Sequence, residues 1–336
     1  MPLKVLITGI TGMVGSHMAD YLLENTKFNI SGMCRWRSPL DNVDHLLKKA
    51  NNNERLNFKY ADLNDLSSLI KCINEVKPDY VFHLAAQSFP QVSFSEPINT
   101  FQTNIIGTYN LLDAIKILKL NPKIHICSSS EIFGKVSKEN IPIKENNSFH
   151  PASPYAISKV GTDLIGKFFA EAYKMNVFIT RMFTHTGPRR GDVFAESSFA
   201  KQIAMIEINK QEPTIYVGNL KSLRTYADVR DAVRAYHMLL TKKLKIGECY
   251  NIGGSFSCTI GQMLNFLISK SKYRKKIKIK IDPKRLRPLD ADLQIPDTTK
   301  FTNDTGWTPK ITFEKTMLDL LNYWREKVKK SNYLIR

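Results

Sequence analysis

The chain has 336 residues, 43% of them hydrophobic and 10% aromatic, enough for a large core and two domains or lobes. No apolar run approaches the ~20 residues that cross a bilayer, and the five cysteines (Cys34, Cys72, Cys127, Cys249 and Cys258) lack paired spacing, which predicts free thiols and no metal centre. A net charge of +18 raises nucleic-acid binding, but the lysines are spread along the chain, and a basic cleft for an anionic nucleotide accounts for the charge equally well.

The opening MPLKVLITGI has no ordered charged region, apolar region and cleavage site. It predicts a first strand (4–8) in a cytoplasmic protein rather than a signal peptide. A helix from about Met13 to Leu23 follows, then a strand at FNISGM (28–33). LNFKYADL, DYVFHLAA and KIHICSSS give further strands, separated by the helical segments DLSSLIKCINEV and EPINTFQTNIIGTYNLLDAIKIL. Continuously apolar strands alternating with helices predict an α/β fold, a doubly wound parallel sheet covered on both faces. After VFITRMF (177–183) the rhythm breaks at Pro188 and Gly191. PTIYVG, ECYNIGG and IKIKI give strands beyond it, and helices are expected near 197–210, 228–241, 259–270 and 312–329. IKIKI lies in the one dense basic run, KSKYRKKIKIKIDPKR (270–285), and its period of two predicts an edge strand with a lysine face. The expected plan is a nucleotide-binding domain over 1–185, rejoined by segments near 225–255, and a smaller α/β substrate lobe over 186–336.

TGITGMVG places Gly9, Gly12 and Gly15 between the first strand and the first helix. Glycines there permit a tight turn, close backbone approach to a pyrophosphate, and close helix packing, as in a Rossmann-type site. The helix N-terminus offers unpaired N–H groups to the phosphates. A site for NAD usually carries a carboxylate about 20 residues on. Arg35, Trp36 and Arg37 stand there instead, and guanidinium groups suit a 2′-phosphate, so NADP is the expected cofactor. Asp62 is expected near the adenine, and HLAAQS (83–88) near the nicotinamide half.

SPYAISK carries Tyr155 and Lys159, four apart on one helical face. Phenols titrate near 10, so a tyrosine base needs help from cations. Lowering its pKa by about three units takes ~4 kcal/mol, which the lysine and an oxidised nicotinamide are expected to supply together. Ser129, at the end of KIHICSSS, completes the set by hydrogen-bonding the substrate oxygen.

Together these residues resemble the extended short-chain dehydrogenase/reductases acting on nucleotide sugars, over essentially the whole chain. LITGITGMVGSHMADYLLE, HLAAQSF, SSSEIFGK, SPYAISK, GPRRG, VGNLKSLR and the Arg-Pro pair at 287–288 resemble GDP-mannose 4,6-dehydratases more narrowly. That resemblance implies catalysis by Ser129, Glu131, Tyr155 and Lys159, with Glu131 as an additional acid/base. It implies cofactor contacts from Gly9, Thr11, Gly12, Met13, Val14, Gly15, Arg35, Arg37, Asp62, Leu63, Leu84, Ala85, Ala86, Tyr155, Lys159, His185 and Arg190. It implies substrate contacts from Ser88, Thr184, Lys201, Arg224 and Arg287. It also implies a dimer through the apolar faces of 98–118 and 155–173, or a tetramer built by the loop after the second strand, although RWRSPLDN departs from the usual pattern there.

The later sequence is mixed. THTGP replaces the dehydratases' usual Asn-His-Glu-Ser-Pro, while SFAKQIA, RTYADVRDAVRAY and DPKRLRPLDADL are similar to GDP-4-keto-6-deoxymannose reductases. The expected activity is conversion of GDP-mannose to GDP-4-keto-6-deoxymannose with NADP recycled internally. An NAD(P)H-consuming reductase, a nucleotide-sugar epimerase, and a silent nucleotide sensor are the other readings. The base and the sugar stay open, and neither nucleic acid nor membrane is an expected partner.

Overall fold

In a computed structural model describing residues 2–289 and 291–330, the run KVLIT is β1 (Lys4–Thr8), an inner strand of a parallel sheet. Residues 331–336 of the expected lobe lie outside the described residues. The run is apolar throughout because both faces are covered: Val5 and Ile7 join one core cluster and Leu6 the other. Strands and helices then alternate: α1 (Met13–Asn25), β2 (Asn29–Cys34), α2 (Leu47–Asn51), β3 (Leu56–Tyr60), α3 (Leu66–Val76) and β4 (Tyr80–His83). The long apolar segment divides into α4 (Pro90–Ser95), α5 (Pro97–Phe101), a π turn at Gln102–Ile106, and α6 (Gly107–Ile117). β5 (Lys123–Cys127), α7 (Pro154–Tyr173) and β6 (Val177–Met182) follow.

Beyond these come β7 (His185–Thr186), α8 (Ala195–Glu207), β8 (Thr214–Val217), β9 (Leu223–Asp228), α9 (Val229–Thr241) and β10 (Cys249–Ile252). β11 (Phe256–Thr259), α10 (Ile260–Ser269), β12 (Lys278–Ile281), β13 (Leu293–Gln294), α11 (Thr299–Thr305) and α12 (Phe313–Lys330) complete the described chain. The large sheet has the strand order β10-β6-β5-β4-β1-β2-β3, and every pairing in it is parallel. The fold is thus the expected doubly wound, Rossmann-like α/β sheet. β1 lies between β2 and β4, where the direction of winding reverses, and ligands of such sheets bind beyond the strands' carboxyl ends at that point.

A second core cluster of α8, α10 and α12 side chains lies against two small sheets. β9 pairs with β7, β11 and β13, and β12 pairs with β8. IKIKI gives the expected edge strand, β12, paired with β8 and with its lysines exposed. Ile279 at 44% and Ile281 at 61% are exposed as well, so alternation there buries neither face. No helix among the described residues is long and apolar enough to cross a membrane.

Buried histidines couple this core to pH. Burial, with neighbouring positive charge, lowers His83, His125 and His185 to about 3, and burial followed by the Arg189 charge lowers His17 to about 4. In the unfolded chain imidazoles take up protons near pH 6.5, so between that pH and the folded values the unfolded state binds more protons. Their stabilisation is fully present above about pH 6.5 and declines as the pH falls, by up to about 1.4 kcal/mol per pH unit for each histidine. The urea midpoint is therefore expected to be clearly lower at pH 5 than at pH 7, and equal midpoints would refute the dry environment assigned to these rings.

Candidate active site

The turn between β1 and α1 is built by its glycines. Gly9 has φ +69°, and a Cβ on it would stand 2.8 Å from the Ala85 Cα. A Cβ on Gly15 would lie 2.3 Å from the Gly9 carbonyl oxygen, so only glycine lets the helix sit this close to the turn. Gly12 is the N-cap of α1 in extended conformation, and no side chain among the described residues caps it. The first-turn N–H groups and the positive end of the helix therefore remain available to an anion. This cradle fits the pyrophosphate of a dinucleotide.

The loop after β4 is fixed beside it. Thr8 Oγ1 accepts from the Leu84 and Ala85 N–H groups at 3.0 and 3.1 Å, leaving its hydroxyl proton for His83 Nδ1 at 2.9 Å. His83 Nε2 then donates to Thr108 Oγ1 at 3.0 Å, whose own proton goes to the Asn104 carbonyl. The network assigns His83 as neutral with its proton on Nε2, in agreement with its lowered pKa.

These pieces line one cleft of about 1210 Å³. Gly9, Thr11, Gly12, Met13, Val14 and Gly15 form its floor, with Leu84, Ala85 and Ala86 at the end of β4. Arg35, Asp62 and Leu63 line it beyond the ends of β2 and β3. Arg37 does not line it, against expectation. β2 ends at Cys34 and the chain turns, Ser38 N–H donating to the Arg35 carbonyl at 3.0 Å, so strand alternation does not carry Arg37 to the face of Arg35. Asp41 also borders the cleft, ion-paired at 2.8 Å with Lys327 from α12.

Ser129, Glu131, Tyr155 and Lys159 come together at the centre. The Ser-Pro of SPYAISK starts α7 in the required place: Ser153 caps it by accepting from the Ala156 N–H at 3.0 Å, with Pro154 at the first helical position. Tyr155 is thereby in the first turn and its N–H donates to Ser93 Oγ at 3.0 Å, while Lys159 lies one turn on and donates to the Cys127 carbonyl at 2.8 Å. Ser129 closes β5 as the cap of a single 3₁₀ turn, accepting from the Glu131 N–H at 3.2 Å. Glu131 Oε2 stands 4.0 Å from Arg287 Nη1.

In the protein alone the Tyr155 phenol is shifted upward. Burial is the main cause, the Cys127 and Glu131 charges add to it, and a Ser129 hydrogen bond and the Arg190 charge oppose it. Burial likewise lowers Lys159, whose Nζ is 6.0 Å from the Tyr155 centroid. An acidic phenol here needs positive charge from a bound ligand as well.

The cleft is also lined by Ser88, Thr184, His185, Arg190, Arg224 and Arg287. The 184–192 loop is pinned to α1, where Arg189 pairs with Asp20 at 2.6 Å and His17 Nε2 meets the Pro188 carbonyl at 3.1 Å. Lys201 does not line the cleft, which corrects its placement. It lies five residues beyond the cleft-facing Glu196, about 140° around the helix. Its ammonium pairs with Asp192, which does line the cleft, at 2.7 Å.

Two groups carry no motif that marks them in the sequence. Asn104, in the π turn, clamps the Gln87 backbone through both side-chain atoms (2.8 and 2.9 Å) and donates to Ser158 Oγ at 2.8 Å, tying the β4 loop to α7. It is one of three asparagines in its helical run, with Asn99 and Asn110, and nothing in the sequence sets it apart. Arg181 forms a two-pronged ion pair with Asp163 of α7 at 2.8 and 2.9 Å and lies over the rings of Phe133 and Phe149, bracing the helix of Tyr155 against the segment of Glu131. Read as part of a strand, that arginine carried no signal.

A family model described as GDP-mannose 4,6 dehydratase matches residues 6–320. The GDP-mannose 4,6 dehydratase of Drosophila melanogaster is 32% identical, over 97% of this chain and 87% of its own. That of Homo sapiens is 31% identical, over 94% and 90%. Among solved structures, RMD from Pseudomonas aeruginosa complexed with NADPH has a TM-score of 0.80 at 27% identity, over 96% of this chain and 99% of that one. DesIV, a dTDP-glucose 4,6-dehydratase from Streptomyces venezuelae, has a TM-score of 0.83 at 22% identity, over 97% and 98%, a likeness of fold.

Proposed function

Because this chain belongs to the GDP-mannose 4,6-dehydratase family, we propose that it converts GDP-mannose to GDP-4-keto-6-deoxymannose with an internally recycled NADP. The observation that carries this reading is Glu131 in the same cleft as Ser129, Tyr155 and Lys159: a second proton-transfer group beside the first. Arg35, which lines the cleft beyond the end of β2, and the NADPH held by RMD support NADP over NAD. Residues 1–185 with β10 are assigned to the dinucleotide, and the remainder mainly to the sugar nucleotide.

Bound along the glycine loop, the dinucleotide supplies hydride exchange, taking a hydride at C4 and returning it to C6. Tyr155 takes the C4 hydroxyl proton while Ser129 hydrogen-bonds the same oxygen. The 4-ketone that results makes the C5 proton acidic. Glu131 removes that proton and delivers one to the departing C6 hydroxyl, which leaves as water. The proton taken from O4 balances the one that C5 regains, so the sugar loses only water. Arg224 and Arg287 suit the diphosphate, since a guanidinium meets phosphate oxygens with paired N–H donors. Arg287 lies at 4.0 Å from Glu131 and so borders both the diphosphate and the acid/base.

The test is purified protein with GDP-mannose and a catalytic amount of NADP⁺, followed by mass spectrometry of the sugar nucleotide. Loss of water without steady cofactor turnover is expected. The reductase-like segments SFAKQIA, RTYADVRDAVRAY and DPKRLRPLDADL favour a second reading, a reductase. That reading requires stoichiometric NADPH consumption with a 4-keto sugar and no reaction with GDP-mannose alone.

Ile98, Ile106, Tyr109 and Ile117 from α5 to α6, and Ile157, Leu164 and Phe168 from α7, leave an exposed apolar face on adjoining helices. Patches of that kind mark protein contacts, and a second copy of this chain is the proposed occupant. The double substitution Leu164→Asp, Phe168→Asp is expected to convert a dimer to a monomer in sedimentation. A wild-type chain that already sediments as a monomer would sink this.

A further inference from the structure

Glu196 and Tyr226 carry chemistry that the scheme above leaves unused. Glu196 lies in the first turn of α8 and Tyr226 on β9, and both line the cleft. Each is only 4% exposed. Glu196 Oε1 accepts from Arg190 Nε at 3.2 Å. The Tyr226 hydroxyl has no hydrogen-bond partner among the described residues. A buried hydroxyl left unpaired costs about 1–3 kcal/mol, and such groups in native proteins generally answer to a partner from outside the fold. Burial, and then the Glu196 charge, hold the Tyr226 phenol well above its ordinary range, so it keeps its proton. It can donate one hydrogen bond and accept another.

The pair borders the reacting end of the cleft. Arg190, which Glu196 holds, acts electrostatically on Tyr155, and Tyr155 acts on Arg190 in return. A carboxylate repels the diphosphate, so its partner is a hydrogen-bond donor on the sugar. Within the hexose, the C4 hydroxyl is engaged by Tyr155 and Ser129 and the C6 hydroxyl by Glu131. Only the C2 and C3 hydroxyls are left, and a hydroxyl is the group that both donates to a carboxylate and accepts from a phenol.

We propose that Glu196 and Tyr226 together read one hexose hydroxyl that the reaction does not consume, at C2 or C3, the sugar donating to the Glu196 carboxylate and accepting from Tyr226. The proposal rests on the hexose reading above and narrows its substrate class to nucleotide hexoses carrying that hydroxyl. A sugar lacking it leaves the Tyr226 hydroxyl buried and unpaired and Glu196 with Arg190 alone, which is how sites of this kind discriminate.

Dissociation constants of GDP and GDP-mannose are measured by calorimetry on the full chain carrying Tyr155→Phe, which blocks turnover. The ratio of the two constants isolates the sugar. Adding Tyr226→Phe or Glu196→Gln is expected to shrink that ratio about tenfold, with the constant for GDP as the internal reference for folding. Of the 2-deoxy and 3-deoxy analogues, one is expected to bind the parent about tenfold more weakly than GDP-mannose and to lose nothing further in the Tyr226→Phe variant. An unchanged ratio in both variants, or equal weakening of GDP and GDP-mannose, overturns the proposal. If GDP-mannose binds the parent no more tightly than GDP, the hexose reading itself fails, and the proposal with it.

Discussion

Water loss from GDP-mannose is expected to fall by about 10²–10⁴-fold when Glu131 is replaced by glutamine, while oxidation at C4 survives. The substitution keeps the size of the side chain and removes only its ability to carry the C5 proton. Local structure should be preserved, because the hydrogen bond that shapes this turn uses the Glu131 backbone N–H and Ser129 Oγ. Arg287, at 4.0 Å, can still meet an amide oxygen. Two readouts separate the half-reactions: the nicotinamide absorbance change on adding substrate, and exchange of the C5 proton with deuterium oxide. Retained reduction with lost exchange is the expected pair of results. A variant that dehydrates at the wild-type rate would remove Glu131 from the mechanism.

Lys159→Met is expected to slow both half-reactions by a similar factor, because it acts before them. Burial already holds the Tyr155 phenol above its ordinary range, so proton abstraction depends on every nearby cation. Removing the ammonium makes the phenol weaker still as an acid. Every tenfold loss of phenolate at a given pH corresponds to about 1.4 kcal/mol. Activity that requires the phenolate grows with pH up to the phenol's pKa, so the profile of kcat/KM should move to the alkaline side. Part of the lost rate is then recovered at high pH. An unshifted profile with a raised KM would instead assign Lys159 to binding alone. The lysine also donates to the Cys127 carbonyl at 2.8 Å, so a melting curve belongs with the kinetics.

The sequence exposed those elements whose environment is uniform. KVLIT and VFITRM are buried along nearly their whole length and therefore look continuously apolar, although Arg181 enters the second one unnoticed. The catalytic helix was legible because its start is written locally in Ser153 and Pro154, and its pair falls at a spacing of four. The glycine loop was legible because a Cβ at Gly9 or Gly15 collides with backbone. What stayed hidden depends on partners far along the chain. Glu196 and Tyr226 are far apart in sequence and meet at the cleft, one from α8 and the other from β9. Arg37 was expected from its place after the second strand and Lys201 from the resemblance, and neither lines the cleft. The end of β2 and the turn of α8 decide where they lie, and neither is visible in the local sequence.

The π turn at Gln102–Ile106 restricts how this enzyme can vary. It holds one residue more than an α-helical path would take, and that surplus sets the direction of the Asn104 amide. Deleting a single residue there would let the helix run straight and would swing the amide by about 100°, away from Gln87 and Ser158 together. The length of this stretch is thus fixed together with Asn104. A homologue shortened by one position in this segment would have to hold the β4 loop by some other means.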